Sequence, residues 1–109
     1  MKIEITKIKS GAIIPQYQTA GAAGADVHAC LDEPVTLQPM ERRLIPTGLA
    51  VAIPRGYEAQ IRARSGLSIK HGITMVNGVG TIDADYRGEF SVLVINLGQE
   101  AFTIEHGMR

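Results

Sequence analysis

The stretch GVGTIDADYRGE, from Gly78 to Glu89, places two aspartates, a tyrosine and an arginine among glycines. A carboxylate held beside a ligand can serve as a general base, and glycine lets the main chain approach a ligand closely. Asp83 and Asp85 are two residues apart, so an extended strand would point them the same way, whereas a turn would splay them. A solvated hairpin turn explains the same composition. The residues taken singly leave both interpretations open.

A second candidate is RARSGLS, in which Arg64 ends an alternating segment and Ser65-Gly66 opens a predicted helix. Free N–H groups at a helix start, a hydroxyl and a guanidinium suit phosphate oxygens. An N-cap serine beside a surface arginine is the alternative. Asp26 begins an apolar segment, where it is either a turn cap or a carboxylate that helps to hold a hydrated cation. Mg²⁺ keeps several waters and needs few carboxylates when the ligand supplies phosphates.

The histidines and the cysteine give no metal or nucleophile signal. His28, His71 and His106 share no ligand spacing, and Cys30 has no cysteine or histidine partner at a zinc-like separation. We therefore interpret all four as structural, with the lone thiol as a small buried hydrophobe.

The elements that must position these residues are mostly strands. Short alternating or apolar runs bounded by Gly, Pro, Asn or Asp recur along the chain. They are KIEITKI, ADVHACL, RLIPTGLAVAIP, YEAQIRA, FSVLVINLG and AFTIEHG. One short helix is predicted in RSGLSIKHG, with Ser65 as N-cap and Gly72 as the C-terminal stop. The pattern predicts an all-β sandwich or barrel that forms one domain over residues 1–109.

Composition narrows the class of protein. The 109 residues include eleven basic and eleven acidic side chains, so the net charge is zero. This balance argues against long-range attraction to nucleic acid or to an anionic membrane. Cys30 cannot form an internal disulfide, which fits a reducing compartment, and no segment resembles a signal peptide or a membrane span. We expect a cytoplasmic protein, or a nuclear one in a eukaryote.

The C-terminal stretch QEAFTIEHGMR reads as a strand and a turn that stop at Arg109. A further strand normally follows such a turn, because an unpaired neighbouring edge invites association. Either a partner subunit covers that edge or the native chain is longer. We expect the longer chain.

Four segments gain meaning from their order: AGADVHA, RSGLS, NGVGTIDADYRGE and HGMR. Together they resemble the first four motifs of the trimeric deoxyuridine triphosphate nucleotidohydrolases, the dUTPases, from about Ile14 to Arg109. The run that begins at Asn77 and ends at Gly88 is the most specific of them. The resemblance implies a distorted jelly-roll-like β-fold and a homotrimer with shared active sites. It also implies hydrolysis of dUTP to dUMP and pyrophosphate with Mg²⁺, which keeps uracil out of DNA and supplies dUMP for dTMP synthesis.

The resemblance also implies roles for single residues. Asp83 matches the aspartate that orients and deprotonates the attacking water, and Asp26 matches the carboxylate that supports the hydrated metal through water. Tyr86 matches the ring beneath the deoxyribose, which leaves no room for a 2′-hydroxyl. The phosphate-holding segment matches Arg64, Ser65 and Gly66. The hairpin that reads uracil matches Asn77, Gly80, Thr81 and Ile82, and Ser91 matches a further substrate contact.

The chain departs from the family after the fourth motif. Family members continue with an apolar strand and a glycine-rich tail that closes over the nucleotide of a neighbouring subunit. Losing a closing segment weakens water exclusion, so we expect residues 1–109 alone to be poorly active or inactive.

Three other functions stay open. A dCTP deaminase shares the fold, and ammonia release from dCTP would identify it. A binding or regulatory module could keep the trimeric scaffold without turnover, although retention of Asp83 speaks against it. An oligonucleotide-binding barrel is disfavoured by the zero net charge and the few aromatic residues.

Overall fold

The computed structural model describes residues 1–109 as eight strands and one helix. In chain order they are β1 (Glu4–Lys7), β2 (Val35–Leu37), β3 (Arg42–Ala52), β4 (Ala59–Ile61), α1 (Ser65–His71), β5 (Ile73–Met75), β6 (Gly80–Ile82), β7 (Phe90–Asn96) and β8 (Phe102–Ile104). The predicted all-β architecture with one short helix is confirmed. No helix in the chain combines the length and apolar character that crossing a membrane requires.

Three antiparallel sheets build the molecule. The largest has the strand order β1-β3-β7-β5, and the two smaller ones are the pairs β2-β8 and β4-β6. In the large sheet Leu44 of β3 lies opposite Leu93 of β7. Alternate residues of a strand face opposite sides, so neighbouring Ile45 points into the core while Leu44 points outward. In the β4-β6 pair Ile61 lies opposite Gly80, which fixes the start of the segment that leads to Asp83.

Strand β3 contains an irregularity that matters for the site. Its register with β7 shifts between Pro46 and Leu49, and Gly48 within the shift has φ +70°. A Cβ on Gly48 would lie 2.9 Å from the Ala12 Cβ and 3.0 Å from the Cys30 Sγ. The bulge therefore needs glycine both for its backbone angle and for the close approach of its neighbours.

The buried apolar side chains form two clusters. One contains Ala12, Cys30, Leu49, Ile53, Ile82 and Phe90, and the other contains Ala29, Leu37, Ile45, Val94 and Ile104. The interpretation of Cys30 as a small buried hydrophobe is confirmed. Ile82 and Phe90 flank the loop of residues 83–89, so the first cluster anchors both ends of that loop.

Two local predictions are wrong. The segment ADVHACL is not a strand, and its one ladder contact is an isolated bridge between Asp26 and Gln16. Its backbone bonds go to different segments, because the Ala29 N–H donates to the Met108 carbonyl while the Cys30 N–H donates to that of Pro46. No single neighbouring strand is therefore available to form a ladder with it.

The helix begins one residue earlier than the cap prediction required. Arg64 is the N-cap, with extended φ −82° and ψ 134°, and no side chain caps the helix, so Ser65 is its first residue instead. Gly72 is confirmed as the C-terminal stop, with φ 71° in the left-handed region. No helix residue is buried, which leaves the start of α1 open at the surface.

Candidate active site

A cleft of about 380 Å³ lies beside strands β6 and β7. We call it the Asp83 cleft. Seven predicted substrate-binding residues line it: Asn77, Gly80, Thr81, Ile82, Asp83, Tyr86 and Ser91. Leu44, Ile61, Met75, Glu89 and Phe90 complete the wall. The hairpin residues that the sequence analysis grouped by their order in the chain are thus also neighbours in space.

A turn separates the two aspartates. Asp83 follows β6 directly, and its carbonyl accepts a hydrogen bond from the Tyr86 N–H at 3.1 Å across the turn at Ala84 and Asp85. Asp83 lines the cleft, whereas Asp85 lines a separate groove with Lys2 and Arg55. Of the two arrangements left open by the sequence, the splayed one is present. Of the two aspartates, only Asp83 lines the Asp83 cleft.

Gly80 brings bare main chain to the wall of the cleft. A Cβ there would lie 3.0 Å from the Met75 Cε, 3.4 Å from the Asn77 Nδ2 and 3.6 Å from the Ile61 Cβ. Gly80 is buried on the same face of β6 as the core residue Ile82, and its main chain lines the cleft. Backbone that is both buried and bare offers a ligand rigid hydrogen-bonding groups at a fixed distance.

Tyr86 lines the cleft and is 46% exposed, so burial alone does not fix the position of its ring. Its hydroxyl donates to the Glu89 carbonyl at 2.7 Å. Arg87 serves the turn, because its guanidinium donates to the carbonyls of Ala84 and Tyr86 at 2.6 and 3.2 Å. The aromatic face is therefore a surface on which a flat or ring-shaped ligand can rest.

The predicted metal residue Asp26 and the predicted phosphate residue Arg64 belong to a second cleft, of about 150 Å³. We call it the Asp26 cleft. Arg64 lines it together with Asp26, and the Asp26 Oδ2 receives the Arg109 guanidinium at 2.6 Å. Ile61 and Met75 line both clefts and so separate them. Ser65 and Gly66 line neither cleft within the single chain.

The residues around Asp26 fit a hydrated Mg²⁺ ion but not an ion that protein side chains alone coordinate. No group of three His, Cys, Asp or Glu side chains in the chain is arranged to hold a metal ion. Asp26 is the one carboxylate in its cleft, and one of its oxygens is engaged by Arg109. This donor set does not build an all-protein site. It fits a hydrated ion that ligand phosphates hold and that one carboxylate contacts through water.

Sequence reasoning missed Glu89 as a residue of the cleft. Its Oε2 accepts a hydrogen bond from the Gly48 N–H at 2.9 Å, across 41 positions of the chain. The same oxygen lies 3.5 Å from the Lys9 Nζ. No local pattern in the sequence signals these partners, because the β3 bulge and the fold of the chain create them.

Comparison with known proteins gives consistent results. A family model described as dUTPase matches residues 10–109. The deoxyuridine 5'-triphosphate nucleotidohydrolase of Treponema denticola is 60% identical over 104 residues, which cover 95% of this chain and 72% of that protein. The protein of the same name from Fusobacterium nucleatum is 56% identical over 109 residues, which cover 99% of this chain and 75% of that protein.

Solved structures show the same architecture. The dUTPase of Staphylococcus bacteriophage 80alpha aligns with a TM-score of 0.89 at 25% identity, covering 99% of this chain and 84% of that one. A variant of the dUTPase from S. aureus phage phi11, described with a structural Mg(II) ion, aligns with a TM-score of 0.81 at 31% identity, covering 90% and 61%. The jelly-roll-like β-fold expected from the sequence is confirmed.

Proposed function

Because this chain belongs to the dUTPase family, we propose that it hydrolyses dUTP to dUMP and pyrophosphate. The observation that carries the proposal is the Asp83 cleft, where the Asp83 carboxylate, bare backbone and an exposed aromatic face meet. These are the parts that a pyrimidine deoxynucleotide and an attacking water require. The roles of single residues below belong to this proposal.

Uracil is selected by the hairpin from Asn77 to Ile82. Uracil and cytosine differ in their donor and acceptor pattern, so fixed backbone groups leave cytosine with unpaired groups. Hydrogen-bonded sites of this kind reject analogues by roughly 10⁴-fold. Thymine differs by one methyl group and is excluded by close packing, which the missing side chain of Gly80 brings near the ring. Tyr86 beneath the sugar excludes a 2′-hydroxyl in the same way.

Asp83 orients a water toward the α-phosphorus and accepts its proton as the oxygen attacks. The new P–O bond forms while the bond from the α-phosphorus to the bridging oxygen breaks, and pyrophosphate leaves with that oxygen. A positioned base of this type contributes a factor of about 10² to 10⁴. Ser91, which also lines the cleft, is a further substrate contact.

Arg64, with Ser65 and Gly66 at the start of α1, holds the phosphates. A guanidinium and free helix N–H groups stabilise the charge that gathers on the bridging oxygen. Asp26 would hold Mg²⁺ through a water, and the bound ion would supply positive charge to neutralise the phosphates. The single carboxylate of the Asp26 cleft supports this water-mediated role.

We also propose a homotrimer whose active sites are shared between subunits. Two observations support it. The predicted phosphate residue Arg64 lines a cleft that Ile61 and Met75 separate from the Asp83 cleft. On the outer face of the large sheet Leu44 is 65% exposed and Val76 43% exposed, on either side of half-buried Leu93. An apolar row of this kind suits coverage by a neighbouring subunit that brings its own Arg64 to the Asp83 cleft.

Pyrophosphate release from dUTP, dTTP, dCTP and UTP tests the proposed activity, using the intact protein with Mg²⁺. We expect turnover of dUTP and at least about a hundredfold lower kcat/KM for the other three. Ammonia release from dCTP would instead indicate a deaminase, and binding of dUTP without turnover would indicate a regulatory module. The cytoplasmic location and the supply of dUMP for dTMP synthesis stay predictions.

A further inference from the structure

We propose that Gly88 and Glu89 are positioning residues that fix the Tyr86 ring and thereby set the discrimination between deoxyribose and ribose. The inference rests on the proposed function, because it concerns the sugar that the Asp83 cleft receives. It assigns a specificity role to two residues that contact the tyrosine and are not themselves required to contact the nucleotide.

The position of the Tyr86 ring depends on residues 88 and 89. Because Tyr86 is 46% exposed, packing alone cannot hold its ring, and the hydroxyl bond to the Glu89 carbonyl fixes the far end. A Cβ on Gly88 would lie 2.8 Å from that hydroxyl oxygen and 3.0 Å from the ring carbon that bears it. Real Cβ atoms do not approach so closely, so any side chain at position 88 would push the ring away. Glycine is thus required for the observed ring position.

The Glu89 carbonyl, which accepts the hydrogen bond from the Tyr86 hydroxyl, is itself held in place. Glu89 is fixed by its own side chain, whose Oε2 accepts from the Gly48 N–H at 2.9 Å and lies 3.5 Å from the Lys9 Nζ. A β-bulge leaves backbone groups outside the ladder, and the register of β3 shifts at this point. The carboxylate satisfies the bulge N–H and in return anchors the backbone of residue 89. Strand β3 therefore controls the Tyr86 ring through Glu89.

The position of the Tyr86 ring sets the selectivity for deoxyribose over ribose. Deoxyribose and ribose differ by one hydroxyl, so their discrimination by exclusion depends on an aromatic wall that cannot retreat by an ångström. Small misplacements in a site have large kinetic effects. A loosened Tyr86 should admit UTP while leaving Asp83 and the uracil hairpin unchanged. The expected signature is a change in selectivity and not a general loss of turnover.

The test measures kcat/KM for dUTP and for UTP with the intact protein and four variants. Gly88→Ala and Glu89→Ala should each lower the dUTP-to-UTP selectivity by about tenfold, the effect of losing one well-placed hydrogen bond. Glu89→Gln should retain most of the selectivity, because its amide oxygen can still accept from the Gly48 N–H. Gly21→Ala is the matched control, since a Cβ there meets nothing within 4 Å.

The results distinguish a failure of this inference from a failure of the proposed function. Wild-type selectivity in folded Gly88→Ala and Glu89→Ala overturns the inference while the proposed function stands. If either variant fails to fold, Tyr86→Phe removes only the hydroxyl, and unchanged selectivity there overturns the inference equally. A wild-type protein that releases no pyrophosphate from dUTP contradicts the proposed function, and this inference fails with it.

Discussion

At the residue scale, position in a turn decides which of two similar aspartates lines the cleft that we propose as the active site. Asp83 and Asp85 are two positions apart, yet they line different clefts because the chain turns between them. The same scale explains Gly80, where a methyl group would press on Met75 and Asn77. Residue type alone could not distinguish the two carboxylates, whereas residue type combined with backbone direction does.

Asn96 is the residue on which the stability of the β7 end depends most clearly. It is fully buried, and its Nδ2 donates to the carbonyls of Leu37 and Glu100 at 3.0 and 2.8 Å. Its Oδ1 accepts from the Gly98 N–H at 2.8 Å. One side chain thus satisfies three main-chain groups, one in β2 and two in the loop between β7 and β8.

Asn96→Ala should lower the free energy of unfolding by about 2–4 kcal/mol, because it leaves buried backbone groups without partners. Urea denaturation of the variant measures this change. Asn77→Ala is the matched control, since Asn77 is exposed and its truncation should change stability by less than about 0.5 kcal/mol. A loss below about 1 kcal/mol at position 96 would contradict the account of this buried amide.

At the element scale, strands inside longer alternating or apolar runs could be predicted, whereas short strands outside such runs could not. Strands β3 and β7 carry extended apolar runs bounded by turn residues, and both are present as expected. Strands β2, β5 and β6 have three residues each and were not predicted, whereas the equally short β4 and β8 lie within the predicted runs YEAQIRA and AFTIEHG. The ADVHACL segment has strand composition, but its backbone partners lie on unrelated segments. Ladder formation depends on the neighbour as well as on the sequence.

The candidate site also contains some residues that the sequence predicts and one that it does not. Asn77, Asp83 and Tyr86 were identified because their order and spacing in one continuous stretch carry the resemblance to the family. The contribution of Glu89 was not identified, because its partner Gly48 belongs to another strand and offers its N–H only through the β3 bulge. Candidate site residues that lie close together in the sequence can therefore be predicted, whereas supporting contacts between distant segments cannot.

At the scale of the whole molecule, the two clefts raise the question of how many chains make one site. The Asp26 cleft contains Arg64, and the Asp83 cleft contains the predicted base, with Ile61 and Met75 between them. A cyclic homotrimer would bring the Arg64 of one subunit to the Asp83 of the next. The exposed apolar row around Leu44 would then be covered by a neighbour.

Mixing two inactive variants tests this arrangement. Asp83→Asn and Arg64→Ala should each abolish turnover of dUTP in the intact protein. If subunits reassort freely after joint refolding in equal amounts, about a quarter of the sites receive both native residues from different chains, so about a quarter of the activity should return. Each variant refolded alone is the control. Absence of any recovery in mixed trimers would show that both residues act from the same chain.

The central claim is that the Asp83 carboxylate activates the water, and its most direct test is the Asp83→Asn variant. Asparagine keeps the size and the hydrogen-bonding oxygen but cannot accept the proton. The measurements are kcat for pyrophosphate release from dUTP and the dissociation constant for a non-hydrolysable dUTP analogue. Asp85→Asn is the matched control, because Asp85 lines a different groove.

The proposed role of Asp83 as the base predicts that Asp83→Asn lowers kcat by at least about 10²-fold and changes the dissociation constant by less than about threefold. The Asp85→Asn control should keep both values near those of the wild type. These are the results that the proposed role requires. An Asp83→Asn protein that hydrolyses dUTP at the wild-type rate would contradict it.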